Sequence, residues 1–259
     1  MEQTKHEIRT TETTKRVHCS EIWGGVRNIN NDVATRPVTT SLFTSAADGT
    51  KGGDIHYFSV CDRDTIARIA LADVLGHGDA VSRMSQWIYD ALAARMNNVD
   101  TNDILADLNR LANDFGHKAF TTAVVLSFRG DTSTLYFSYA GHPPVWIRRR
   151  TDGVWRRLVE EPQTEFTNLP LGMFPESTYD QKQLPLSSGD RLFVHTDGLT
   201  DAFGAGGEQF GEDRLKTVLD DGGDESLFEL KQRVLAALRL HTGGTLGHDD
   251  VTLMAVEVN

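Results

Sequence analysis

The sequence predicts an α+β protein built as two packed antiparallel sheets covered by helices. Three observations predict it. Strand-like runs follow one another across short Gly- or Asp-containing turns, as hairpins do. Helical periods come as two blocks set between and after those hairpins, which segregates helices onto sheet faces. About nine strands are too many for one open sheet without curling, so two stacked sheets are the better solution.

Taken in order, residues 1–20 are rich in Thr, Glu and Lys, and 1–30 is expected as a partly ordered polar lead-in to one domain over 31–259. Within it, Trp23-Gly24-Gly25 reads as an aromatic-glycine turn with no chemistry of its own. Strands are expected at 38–45 (VTTSLFTS), 54–60 (DIHYFSV) and 65–73 (TIARIALAD), all β-branched or aromatic and bounded by Gly or Asp. Val81, Met84, Ile88 and Leu92 recur on a helical period, so 79–96 is expected as a helix with Asp79 as its N-cap. Ile104, Leu105, Leu108 and Leu111 make a second helix over 102–115. TTAVVLSF, STLYFSYA, VWIRRR and VWRRLV then read as strands turned at RGD and RRTDG. RLFVHTDG is a strand ending at Asp-Gly, 212–221 and 224–240 are helices, and VTLMAVEV closes the chain.

Composition narrows the function. The chain has 259 residues, 39% apolar and 24% charged, an ordinary globular balance. Its formal net charge of -11 repels polyanions, so neither nucleic acid nor an anionic membrane is the expected partner. Cys19 and Cys61 stand in no metal-ligand spacing and fit a reducing cytoplasm. The N-terminal residues lack the apolar core of a signal peptide, and no apolar run approaches the roughly 20 residues that span a bilayer. A cytoplasmic protein is expected. Arg148, Arg149 and Arg150, with Arg156 and Arg157, read as the solvated edge of a hairpin.

Chemistry concentrates where apolar strands meet aspartate and glycine. Asp54 follows Gly52-Gly53, Asp73 ends the run ALAD, Asp197 stands in FVHTDG, and Asp249-Asp250 precede the last strand. Singly, each is a turn residue. Together they are strand-end carboxylates far apart in sequence, and strand ends on one edge of a sandwich converge. Converging carboxylates need a cation, and all-oxygen ligation suits Mg²⁺ or Mn²⁺ better than Zn²⁺. Two such ions about 3.5–4 Å apart can share a water and lower its pKa. Glycines such as Gly53 let the backbone approach an ion or phosphate without a Cβ in the way. There is no Walker phosphate loop, no G-x-S-x-G elbow and no H-E-x-x-H helix.

GGD (52–54), ADVLGHG (72–78), AGHPP (140–144), TDG (196–198) followed by EQFGEDRL, and GHDDVTL (247–253) resemble, in that order, the motifs of the metal-dependent protein serine/threonine phosphatases (PPM superfamily), in the SpoIIE-type sporulation branch. The similarity runs over residues 52–257. The resemblance implies that Asp73 bridges two Mn²⁺ or Mg²⁺ ions. It implies that Asp54 and the backbone carbonyl of Val74 hold the first ion, and that Asp197 and Asp249 hold the second. It implies a four-layer α-β-β-α sandwich and hydrolysis of phosphoserine or phosphothreonine on a protein by a metal-bridging hydroxide. The substrate it implies is a phosphorylated anti-sigma-factor antagonist in a bacterial partner-switching circuit.

Two positions depart from the pattern. The second acidic residue of GGD-x-x-D is Tyr57 here, and the histidine that eukaryotic relatives carry two residues after the bridging aspartate is Leu75. Near the site, His77 in GHG reads as a turn histidine bonded to backbone and His142 in AGHPP as a residue that shapes a turn. His195 shares strand parity with Asp197, which leaves an H-x-D metal pair open, but it reads first as a partly buried structural histidine. Asp250 reads as a turn residue or a carboxylate behind the ligand, facing away from Asp249 if the strand has begun there. Two rival readings stand beside the phosphatase: a phosphatase-shaped module that binds a phosphoprotein without turnover, and a two-metal nuclease. Mutually repelling carboxylates serve no purpose in the first, and the acidic balance opposes the second.

Overall fold

A computed structural model of the chain describes residues 14–19, 21–47, 51–61, 63–76, 79–95, 98, 100–114, 120–159, 168–246 and 248–259. The strands begin with β1 (Thr14–Arg16), β2 (Ile22–Arg27), β3 (Ile29–Ala34), β4 (Val38–Ser45), β5 (Lys51–Cys61) and β6 (Ile66–Val74). Helices α1 (Asp79–Ala93) and α2 (Thr101–Asp114) follow. Next come β7 (Thr121–Arg129), β8 (Thr134–Ala140), β9 (Trp146–Arg148), β10 (Trp155–Arg157), β11 (Lys182–Pro185) and β12 (Arg191–His195). A helical turn α3 (Asp197–Thr200), helices α4 (Glu212–Asp220) and α5 (Leu227–His241) and strand β13 (Val251–Val258) complete the order.

The strands form a seven-stranded sheet, β1-β3-β4-β13-β12-β9-β10, and a six-stranded sheet, β11-β8-β7-β6-β5-β2. The inner strands of both sheets pair antiparallel, and β1 joins β3 in parallel at one edge. Side-chain alternation divides each strand between two cores. In β6, Ala67, Ile69 and Leu71 face the layer between the sheets, where Phe58, Val124, Val194 and Met254 meet them. Ala70, Ala72 and Val74 face the other way, onto Ile88 and Leu92 of α1 and Ile104 and Leu108 of α2. The seven-stranded sheet repeats the scheme, with Phe193, Leu253 and Ala255 under Leu215 of α4 and Val234 and Leu238 of α5. The result is the expected α-β-β-α sandwich.

Several elements differ from the sequence expectation. Trp23-Gly24-Gly25 lies within a strand: β2 pairs with β5 at Trp23↔Phe58 and Gly24↔Tyr57. Trp23 packs on His56 and Phe58, with ring centroids 5.4 and 5.6 Å apart. The turn reading rested on glycine's usual role, whereas Gly24 is there to let two backbones close. Strand β12 stops at His195, and Asp197 opens a helical turn instead of ending the strand. Helix α5 starts three residues late because Ser226 and Glu229 form a reciprocal capping box downstream of Asp224. Arg148 is no solvated edge: it is buried, and its guanidinium donates to the Gly153 carbonyl at 3.0 Å and to Asp224 at 2.7 Å.

A Cβ at position 24 would stand 2.2 Å from the His56 carbonyl oxygen and 3.0 Å from the Tyr89 ring. Gly24→Ala is therefore expected to lose about 1–3 kcal/mol of stability through overpacking. Urea denaturation checks this; an unchanged midpoint would show that β2 does not need this close approach.

Candidate active site

The pairing register places Asp54 of β5 directly opposite Asp73 of β6, and Asp73 opposite Thr122 of β7. Directly paired strand residues have Cα atoms roughly 4.5–5.5 Å apart. Asp73 shares its face with Leu71 and Ile69, and Asp54 with Phe58 and Val60, so both carboxylates point into the dry layer between the sheets. Asp54 is 1% exposed. Its Oδ2 accepts the Thr196 hydroxyl at 2.8 Å, while its Oδ1 is buried with no hydrogen-bond partner among the described residues.

The facing sheet brings the other acids. Asp197 starts α3 at the end of β12, and Asp249-Asp250 lie just before β13, the neighbour of β12. The two adjacent aspartates do different things. Asp250 is buried, and its carboxylate accepts the backbone N–H groups of Ala47, at 2.7 Å, and of Gly53. Asp249 is exposed and gives one oxygen to the N–H of Asp250 at 2.8 Å. Asp250 is thus a strut that ties the Gly-Gly-Asp segment to the last strand, and Asp249 stays open.

The glycines follow from this crowding. A Cβ on Gly53 would lie 2.7 Å from the Val74 carbonyl oxygen and 3.3 Å from Asp73 Oδ1. A Cβ on Gly198 would lie 1.9 Å from the Asp250 carbonyl oxygen. The Val74 carbonyl, Gly53 and Asp73 are therefore neighbours, as the motifs imply. His77 lies outside the described residues.

Electrostatics show what the arrangement lacks. Burial holds the Asp73 carboxyl well above its ordinary value, and the charges of Asp54, Asp197, Asp249 and Asp250 push in the same direction. Asp54 is raised by burial and by Asp250, against the pull of its threonine hydrogen bonds. Asp197 is raised by burial, then by Asp249 and Asp201. Burial raises Asp249 as well, with Asp250 and Asp201 adding to it. Among the described residues, no three Asp, Glu, His or Cys side chains close into a ready metal cage. Open carboxylates of this kind suit a hydrated Mg²⁺ or Mn²⁺, which keeps several waters as ligands. A single orphaned oxygen on Asp54 and mutual repulsion at Asp73 are the observations that such a cation fits.

Some contributors escape the motif reading. Thr196 donates to Asp54 and accepts the Thr252 N–H at 3.0 Å, while Thr252 donates to the Thr44 hydroxyl at 3.2 Å. The signal for Thr252 was its parity with the inward-facing Met254 and Val256. Asp201 lies one helical turn after Asp197, a spacing visible in DGLTD. Thr122 carries a buried hydroxyl with no partner among the described residues, directly across from Asp73. By contrast, His195 turns away from the acids: its ring stacks near Phe193 and its Nδ1 bonds the Thr196 carbonyl. Thr196, not His195, carries the inward face. His142 is buried at the turn after β8, with Nδ1 against the Pro143 carbonyl at 3.0 Å.

The four-layer sandwich is the fold of PP2C-type phosphatase domains. The SiaA-PP2C domain of Pseudomonas aeruginosa superimposes with a TM-score of 0.73 at 20% identity, over 85% of this chain and 86% of that one. The structure of RsbX in complex with magnesium superimposes at 0.66 and 17% identity, over 89% of this chain and 100% of its own. Within that class, this chain belongs to the SpoIIE family, whose model, stage II sporulation protein E, matches residues 63–259. It is also 26% identical over 206 residues to the phosphoserine phosphatase RsbU of Bacillus subtilis, covering 79% of this chain and 58% of RsbU. The chain thus spans little more than half the length of that relative.

The raised carboxyls set a pH dependence whose sign is definite. A folded state that keeps protons the unfolded chain releases above about pH 4 loses stability as pH rises. With a chelator present, the melting temperature is expected to fall between pH 5 and pH 7.5, and less steeply in Asp73→Asn, where one repelling charge is gone. Thermal melts of both proteins across that range check it; parallel profiles would remove the repulsion.

Proposed function

We propose that this chain is a metal-dependent protein serine/threonine phosphatase. The observation that carries the reading is Asp73, half-buried, opposed by Asp54 and pressed by Asp197 and Asp249, a gathering of like charges that a bound cation would stabilise. In this reading Asp73 would be shared between two Mn²⁺ or Mg²⁺ ions, Asp54 and the Val74 carbonyl would help hold one, and Asp197 and Asp249 would hold the other. Bound there, the ions would supply an activated water and neutralise phosphate charge. The chain's own parts hold the ligands in place: Thr196 orients Asp54, and Asp250 fixes the backbone at Gly53. Leu75 cannot donate a proton to the leaving serine oxygen, so that proton would come from a water or another group in this reading.

The substrate we propose is phosphoserine or phosphothreonine on a protein, in particular an anti-sigma-factor antagonist. The name of RsbU as a phosphoserine phosphatase supports the chemistry, and the family supports the regulatory setting. A cytoplasmic location fits the cysteine usage, and no helix among the described residues is long and apolar enough to cross a membrane.

Hydrolysis of an aryl phosphate is expected to require added Mn²⁺ or Mg²⁺ and to vanish with chelator; full activity in excess chelator would end the two-metal reading. A protein that binds Mn²⁺ and a phosphoprotein yet never turns over would mark the binding-module alternative instead.

The adjacent aspartates separate ligand from strut. Asp249→Ala is expected to lose at least about 10²-fold in turnover and to need more Mn²⁺. Asp250→Ala is expected to lose less turnover, with its damage appearing as a lower melting temperature because the buried Gly53 N–H and the half-buried Ala47 N–H lose their acceptor. Kinetics against Mn²⁺ concentration, paired with thermal melts, rank them; the reverse order would refute the assignment.

A further inference from the structure

A cleft of about 190 Å³ opens beside the acids, with Asp73 and Asp197 among its lining residues. Its remaining walls are the threonines Thr121 and Thr122 and four apolar side chains, Leu75, Phe120, Pro170 and Met173. No lysine or arginine is among these described lining residues. Among the described residues, six large apolar side chains are exposed, and two of them stand at this cleft. Of the six, Leu75 (70% exposed) and Met173 (42%) line the cleft, and Phe174 (40%) adjoins it.

The backbone beneath them is tied down. Leu171 and Thr121 exchange both backbone hydrogen bonds, at 2.8 and 3.2 Å. The Leu75 N–H reaches the Phe120 carbonyl at 2.8 Å. The buried amide of Asn109, on α2, accepts the Gly172 N–H and donates to the Phe174 carbonyl, each at 2.9 Å. Exposed apolar groups on a pinned backbone do little for folding, yet they are pre-organised for a partner.

We infer that Leu75 and Met173 form a specificity ledge: it selects substrates in which an apolar side chain lies immediately beside the phosphorylated residue. The inference rests on the phosphatase reading and names the substrate class for that same site. A phosphate held over Asp73 and Asp197 leaves its neighbouring residue against the ledge, because ledge and acids share one cleft. An acidic neighbour would meet only carboxylates and apolar walls there. A basic neighbour would gain from the acidic field but would forfeit contact with Leu75 and Met173. Among the described lining residues, the rest of the wall offers nothing that pairs with a charged flank.

The test uses the full chain with Mn²⁺ and phosphoserine peptides that carry Leu, Asp or Lys on either side of the phosphoserine. The expected kcat/KM for the Leu peptide exceeds that for the Asp and Lys peptides by about tenfold or more. In Leu75→Ser and Met173→Ser, each confirmed folded by its melting curve, the ratio is expected to shrink to within about threefold. Equal rates on all peptides in the parent, a preference for Lys, or a Leu preference untouched in both variants would overturn the ledge while leaving the phosphatase standing. Failure to hydrolyse any peptide or an aryl phosphate with Mn²⁺ would instead remove the phosphatase reading, and the ledge with it.

Discussion

Two carboxylates face each other across neighbouring buried strands, in a layer that is otherwise apolar, and the working end of this molecule is organised around that repulsion. Asp54 and Asp73 sit where Phe58, Leu71 and Val124 set the environment a few residues away. Burial and like charge both raise the free energy of their ionised forms. Left alone, such a pair would hold protons or loosen the strands. The fold answers with threonine hydroxyls and leaves one oxygen of Asp54 without a partner. What remains unsatisfied is the capacity to hold a hard cation.

The surrounding architecture reads as support for that cluster. Asp250 spans from the start of β13 to the Gly-Gly-Asp segment of the other sheet and so links the two sheets at the site. The bond is made to backbone, which fixes the approach of β5 and leaves the side chain of Asp54 to be aimed by Thr196. Glycines stand where a Cβ would strike a carbonyl of this framework, so the motif glycines are consequences of packing density. The cores on either side of the sandwich are ordinary and complete, which makes the strained electrostatics at one end affordable.

Identity to the structures it superimposes on is 20% or less for SiaA and RsbX, yet the sandwich is shared over most of the chain. Physical constraints explain how that happens. The inner layer needs apolar side chains of about the right volume at alternate positions, which many sequences supply. Only the strand-end aspartates, their glycines and the threonine contacts are tied to chemistry. Leu75 and Met173, at the cleft beside the acids, lie exposed outside those cores.

The sequence by itself determined the fold class, most helices and strands, and the candidate aspartates, because alternation, helical period and Asp-Gly punctuation are local signals. The different surroundings of Asp249 and Asp250 were not set by strand alternation, because both precede β13. Other features were decided only in three dimensions. Strand β2 pairs with β5 across a long gap in sequence, so Trp23-Gly24-Gly25 looked like a turn. The helical turn at Asp197 replaced the strand end that periodicity suggested, and with it Thr196 rather than His195 took the inward face. The burial of Arg148 depends on Asp224, far along the chain. The opposition of Asp54 to Asp73, and the ledge made from Leu75 and Met173, join residues that no local pattern connects. Pairing register and loop anchoring set those juxtapositions, and both are properties of the folded chain.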